Sequence, residues 1–190
     1  MAKPTVLRLV LGILLAVLVV LFILGISPER IARRTEAPEA PADAVAREAE
    51  TKSVTLYFLR EDDGLFVPET RTIAAGTLVQ EAEAVLNELI KGSANGLASA
   101  LPAEAKVGQV FLTADGTAYA DFSKDLVEAH PSGSEAEKAT VFAIVDTLAA
   151  NFKSIKKVFI LVDGEERETL NGHVTLDRAF RPDFTLVAKD

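Results

Sequence analysis

With 190 residues, 28 acidic against 20 basic side chains and a formal net charge of −8, the chain has a surface that disfavours nucleic acid and anionic lipid headgroups, neither of which supplies cations to pair with it. Having no cysteine, it can form no disulfide, thiolate metal site or thiol nucleophile, and it carries no thiol for a lipid. Without tryptophan and with two tyrosines, it also lacks the aromatic platform of a sugar-binding surface.

The first element is Leu9–Ile26, an apolar run without a charge. As a helix it spans about 27 Å, close to the ~30 Å hydrocarbon thickness of a bilayer. A secretory apolar region is shorter, about 7–15 residues, and ends in a small-x-small cleavage site. Here the nearest such triplet, Gly25-Ile26-Ser27, runs directly into Pro28. The pattern predicts an uncleaved signal anchor over residues 1–28. Lys3 and Arg8 precede the run, while Arg30, Arg33 and Arg34 come after it, so the flanking charges nearly balance. The short N-terminal tail favours export of the C-terminal portion, which places the domain outside the cytoplasm on a single-pass anchor.

Residues 29–52 are dominated by Ala, Pro and Glu and offer little to bury, as a linker does. Residues 53–190 then suffice for one domain with its own core.

Within that domain, Asp63-Gly64, Asp115-Gly116 and Asp163-Gly164 each follow an apolar run, the signal of a tight hairpin. Val54, Leu56 and Phe58 alternate with Thr55, Tyr57 and Leu59 ahead of the first; Leu65–Ile73 returns. Residues 110–112 (VFL) lead into the second, after which Ala118, Ala120 and Phe122 share a face. Val158–Val162 leads into the third and is apolar on both faces, as in a central strand. The charged stretch EERET after it suits an edge. Thr77-x-x-Gln80 opens a helix with Val79, Ala82, Leu86, Leu89 and Ile90 on one face and Gly92 as its end. Ser134-x-x-Glu137 opens a second, with Ser134 as N-cap and a stripe of Val141, Val145, Leu148 and Phe152. The order ββαββαββ predicts an α+β domain, one mixed sheet built from hairpins with two helices on one face.

Candidate chemistry is sparse. His130, in HPSGS, reads as a surface-loop residue, and His173, beside Gly172, as a turn residue whose ring bonds backbone. Neither has a His or Glu partner at metal-ligand spacing. Lys91–Gly96 (KGSANG) follows a helix, whereas a phosphate loop precedes one; Glu61-Asp62-Asp63 lacks the spaced ligands of a calcium loop. Gly133-Ser134-Glu135 does not match a nucleophile elbow. No catalytic, metal or cofactor site is expected.

In order along the chain come VTLYF (Val54–Phe58), LFVPETRTI (Leu65–Ile73), AVLNELIKG (Ala84–Gly92), GLASALP (Gly96–Pro102), DGTAYADFS (Asp115–Ser123), AIVDTLAANF (Ala143–Phe152) and VFILVDGEERETLNGHVTLDRAF (Val158–Phe180). This series resembles the GerMN domain family of sporulation and spore germination proteins over essentially all of Ser53–Asp190. The resemblance implies a fold similar to the ring-building domains of envelope-spanning secretion and sporulation complexes, and a role in protein assembly without catalysis. The sporulation protein of the family is a lipoprotein with two such domains in tandem, whereas this chain shows one domain, no cysteine and an apolar anchor. Ala179 stands where the family's closing motif has proline.

These readings converge on a membrane-anchored, non-enzymatic envelope protein that binds envelope or membrane proteins or a second copy of itself. The strand Leu65–Ile73 is the expected contact, through an unpaired edge, with Glu69 and Arg71 setting register beside Val67 and Ile73. Tyr119 and Asp121 complete the candidate interaction residues. The alternative is a module binding cell-wall glycan or a small ligand through Tyr57, Glu69, Arg71, Tyr119 and Asp121. An enzyme would have to work from His173 with Asp121 and Asp177.

Overall fold

The computed structural model describes residues 50–189. The expected anchor Leu9–Ile26 and nearly all of the linker lie outside them. No helix among the described residues is long and apolar enough to cross a membrane.

Strand β1 (Thr51–Leu59) pairs antiparallel with β2 (Phe66–Ala74), Leu56 opposite Glu69 and Val54 opposite Arg71. Helix α1 (Leu78–Ile90) is next, then β3 (Val107–Leu112), β4 (Thr117–Phe122), the short α2 (Asp125–Glu128), the long α3 (Ser134–Asn151) and β5 (Lys157–Val162). A 3-10 turn, Phe184–Leu186, is the last element among the described residues. The domain is α+β, as its hairpins and helices predict, but its strands form two sheets. One is β1-β2; the other has the order β3-β4-β5, with β4 and β5 parallel. Both helices pack on each other and each touches both sheets, so neither is confined to one face of a single sheet. One continuous core results, including Leu56, Phe58, Leu86, Phe122, Ile144 and Ile160, each fully buried.

The capping box at α1 forms as the sequence predicts: the Thr77 hydroxyl accepts from the Gln80 N–H, and the Gln80 side chain accepts from the Thr77 N–H. Lys91 caps the far end and Gly92 comes next at φ +84°, a conformation a side chain would strain. Val79 is exposed, against expectation; Val85 takes its place in the core. The cause is α1's position between two sheets, which turns its buried face toward Val85. At α3 the N-cap is Gly133, and no side chain caps the helix. Ser134 is already the first helical residue. Glu137 faces inward to other partners, so the expected capping box does not form there.

The third hairpin differs most from expectation. Asp163 (φ +53°) and Gly164 (φ +76°) do form a two-residue turn with positive φ at both positions, closed by the Val162–Glu165 bridge. No strand comes after it. Residues 165–169 leave the sheet because Leu170 and Leu176, just beyond, are fully buried and draw the chain into the core. A small loop closes over them with Leu170 N–H bonded to Val174 O and Leu176 N–H to Glu168 O. The outer side of β5 is instead met at Val158, which exchanges backbone bonds of 2.7 and 2.8 Å with Phe180. Therefore β4, not β5, is the central strand, and β5 is covered by α3 and met by this later segment.

Parts of the sheet margins are met by side chains from neighbouring helices and by a loop. On the outer side of β1, Asn151 of α3 accepts from Thr55 N–H (2.9 Å) and donates to Thr55 O (2.6 Å), while the Thr147 hydroxyl accepts from Tyr57 N–H (3.2 Å). Leu59 exchanges bonds with Ala98. At β3, the Glu83 carboxylate of α1 accepts from Val110 N–H (3.3 Å). Buried backbone groups are thereby satisfied without a further strand.

Candidate functional site

Among the described residues, strand β2 has the longest open margin. In an antiparallel pair, residues alternate between bonding the partner strand and pointing outward. Leu65 and Ala75 bond β1's side, at Arg60 and Glu50, and Phe66 O points outward to accept from Ala188 N–H (2.8 Å). Hence the main-chain groups of Pro68, Thr70, Thr72 and Ala74 point outward. All four residues are exposed, and among the described residues these groups have no backbone or side-chain partner. Pro68 offers a carbonyl but no N–H, a common way of blunting part of an edge.

The residues expected to read a partner lie on the other face of β2. Ile73 is core, and Val67 is half-buried opposite Phe58. Glu69 is 4 % exposed and accepts from Arg71 Nε (2.6 Å), Ser93 Oγ (2.6 Å) and Ala94 N–H (3.0 Å). Burial works to raise the Glu69 pKa, but the Ser93 hydroxyl, the Ala94 amide and the Arg71 guanidinium outweigh it and hold the carboxyl at about 2. Arg71 also donates to Gly92 O (2.9 Å) and lies 3.6 Å from Glu88. Together Glu69 and Arg71 fasten the loop after α1 to the sheet. The stretch 91–96 thus serves as a structural corner, with Ser93 and Ala94 turned to Glu69.

Tyr119 and Asp121 belong to the other sheet. Tyr119 stacks on Phe159 with ring centroids 5.4 Å apart, and Asp121 accepts from Gly164 N–H (2.8 Å), bracing the Asp163-Gly164 turn. The six candidate residues therefore do not converge on one site.

Neither histidine sits as expected. His130 is buried: its Nε2 lies 2.7 Å from the Thr140 hydroxyl of α3, which in turn donates to Ala100 O. The ring of His173 is half-exposed and bonds a carboxylate, not backbone, with Nδ1 2.7 Å from Glu137 Oε1. Glu137 is fully buried and also accepts from the His173 (3.0 Å) and Val174 (2.7 Å) N–H groups. Burial again pushes upward, and the Val174 amide, His173 ring and neighbouring amides bring Glu137 down to about 2. This is one carboxylate holding a loop; Asp121 is engaged at Gly164 in the other sheet. Among the described residues no three His, Asp or Glu side chains gather to hold a metal ion.

Buried polar residues of α3 carry most of what sequence reasoning missed: Glu137, Thr140, Asp146 and Thr147 are all fully buried. Their signal was present, since polar residues recur among apolar ones on α3 instead of separating to one face. Asp146 differs from the others. Its Oδ1 accepts from Asp183 N–H (2.8 Å), while its Oδ2 is buried without a partner. Burial, followed by the nearby Asp183 charge, raises its pKa to about 6 despite the Asp183 amide.

The family model described as "Germane: Sporulation and spore germination" matches residues 55–168. The structure titled tandem GerMN domains of the sporulation protein GerM from Bacillus subtilis aligns with a TM-score of 0.58 and 27% identity, over 70% of this chain and 46% of that one. This chain thus spans about half the length of the tandem protein. The first GerMN domain of the same protein aligns at 0.55 and 28% identity, over 67% of this chain and 94% of that one. A putative lipoprotein from Clostridium perfringens aligns at 0.50 and 25% identity, over 69% and 87%. Among curated proteins nothing matches.

Proposed function

The chain belongs to the GerMN domain family, and from that premise we propose that it is an envelope protein whose domain works by protein–protein contact, without chemistry of its own. The open outer margin of β2 is the observation that carries the reading. An exposed strand edge binds a partner strand through main-chain hydrogen bonds, which need no convergent side-chain site. The family's link to sporulation and germination, and the apolar run Leu9–Ile26, support a place in an assembly at the cytoplasmic membrane. The domain would then stand outside the cytoplasm on its linker.

The side chains of Glu69 and Arg71 do not reach that edge, so Arg71→Glu breaks a structural corner and is a poor probe of contact. Thr70→Pro is better: it removes one outward N–H and no internal bond. With the N-terminal segment retained, a photoreactive residue in place of Thr72 should form a protein adduct in native membranes. Thr70→Pro should abolish that adduct while changing stability by less than about 1 kcal/mol. An adduct that persists undiminished in folded Thr70→Pro would overturn the edge reading.

A further inference from the structure

A groove of about 530 Å³ lies between the end of α3 and the segment before the 3-10 turn, and its rim is positive on an otherwise acidic domain. Lys153 and Lys156 stand on one side and Arg181 on the other; Ile155 and Pro182 form apolar wall, and Phe184 closes one end at 46 % exposure. Elsewhere six cations are matched to acids, Lys52 with Glu81, Arg60 with Asp63, Arg71 with Glu69, Lys91 with Glu88, Lys124 with Glu128 and Lys157 with Asp115, while Lys106, Lys138, Arg167, Arg178 and Lys189, unpaired among the described residues, line no groove with one another. Among the described residues, no carboxylate lies within 4 Å of Lys153, Lys156 or Arg181.

The negative end of α3 accounts for a lysine just past Asn151. It does not account for Arg181, which arrives from a different part of the chain. Two acids lie nearby, and their bonds to neutral donors orient them without cancelling their charge. Asp183 turns its carboxylate to the Thr185 amide (3.1 Å) and hydroxyl, and Asp146 is buried beneath its bond to the Asp183 amide. More distant carboxylates act through a screening length of about 8 Å at physiological salt, so locally the three rim cations outnumber the Asp183 and Asp146 carboxylates.

We propose that this groove is a docking site for anionic lipid headgroups, with Lys153, Lys156 and Arg181 pairing to phosphates and Phe184 entering the headgroup–acyl boundary. Charge complementarity selects an anion. An exposed phenyl ring that packs beside Tyr57 and lines the same groove as three cations, with apolar wall beside it, selects an amphiphilic surface over a soluble ion. The inference rests on the reading that the domain stands beside a bilayer, but its test does not use the anchor.

Residues 48–190 form one compact unit, and a relative consisting almost wholly of one such domain has been solved by itself. The chain has no tryptophan, so Phe184→Trp in this fragment gives a single reporter. Vesicles containing phosphatidylglycerol should shift its emission to the blue, and pure phosphatidylcholine vesicles should not. Adding Lys153→Gln, Lys156→Gln and Arg181→Gln should weaken binding about a hundredfold. Lys106→Gln, elsewhere on the surface, should change nothing. Raising salt from 0.05 to 0.5 M on the reporter variant alone should release it, which tests the charge term even if the combined variant fails to fold. No phosphatidylglycerol-dependent shift, or a shift retained in the folded neutralised variant, overturns the proposal. Full displacement by millimolar glycerol phosphate overturns it in favour of a soluble phosphate ligand. Failure here leaves the β2 adduct in membranes unaffected, so the two readings fall separately.

Discussion

Glu69, Glu137 and Asp146 are buried carboxylates that differ in the donors they meet. The first two each accept at least three hydrogen bonds, one from Arg71 or His173, and their pKa values fall to about 2. Asp146 accepts one amide, leaves Oδ2 without a partner and rises to about 6. The signs of their pH dependence are opposite. Glu69 and Glu137 contribute stability that is full above the ordinary glutamate pKa of 4.5 and is lost as pH falls through about 2. Asp146 is favoured protonated: its contribution is full below 3.8 and is lost as pH rises through about 6. Chemical denaturation across pH should therefore show Asp146→Asn removing a decline in stability between about pH 4 and 6.5. Glu137→Gln should remove part of the loss below pH 4.5 and weaken the domain by about 2 kcal/mol at pH 7, since it puts an amide donor against N–H groups. A wild-type-like pH profile in both variants would contradict these assignments. Such residues were hard to read from sequence for a plain reason. Glu137 meets His173 across 36 positions and Thr55 meets Asn151 across 96, whereas local spacing reports only neighbours on one element.

At the scale of the elements, legibility tracked the range of the forces. The Thr77 cap, the β1-β2 hairpin and the buried stripe of α3 depend on residues a few positions apart, and all three form as read. Division into two sheets depends on which strand each helix covers, which no local pattern records. The EERET stretch shows the failure well. Its turn chemistry was right, yet Leu170 and Leu176 further along decided where the chain went. Ile160→Ala in β5 should cost about 2–5 kcal/mol, since a fully buried side chain is replaced by a cavity. Glu166→Gln, exposed beyond the turn, should change stability by less than about 0.5 kcal/mol. Urea denaturation of residues 48–190 measures both, and equal effects would mean that β5 is not held as described. The candidate site was half legible: the strand with the open edge was identified, but the side chains assigned to it face the opposite way.

For the whole molecule, the proposed anchor sets where every other interaction takes place. If Leu9–Ile26 inserts, Val17→Arg should weaken insertion by roughly 2.5–3.5 kcal/mol, while Val17→Leu should not. Carbonate extraction of membranes followed by detergent separates these outcomes; unchanged retention of Val17→Arg would remove the anchor from the account. The margins of the sheets also bear on assembly. Thr147 and Asn151 meet part of β1, Glu83 bonds one amide of β3, and Phe180 meets β5 at Val158, so among the described residues β2 has the longest run of unpartnered outward groups. An edge of this kind has a valence of one. Two copies joined through β2 would share a twofold axis and use up that edge in both, so pairing at this edge terminates at two. Any ring of many copies must be built through other surfaces, with the strand edge reserved for one neighbour.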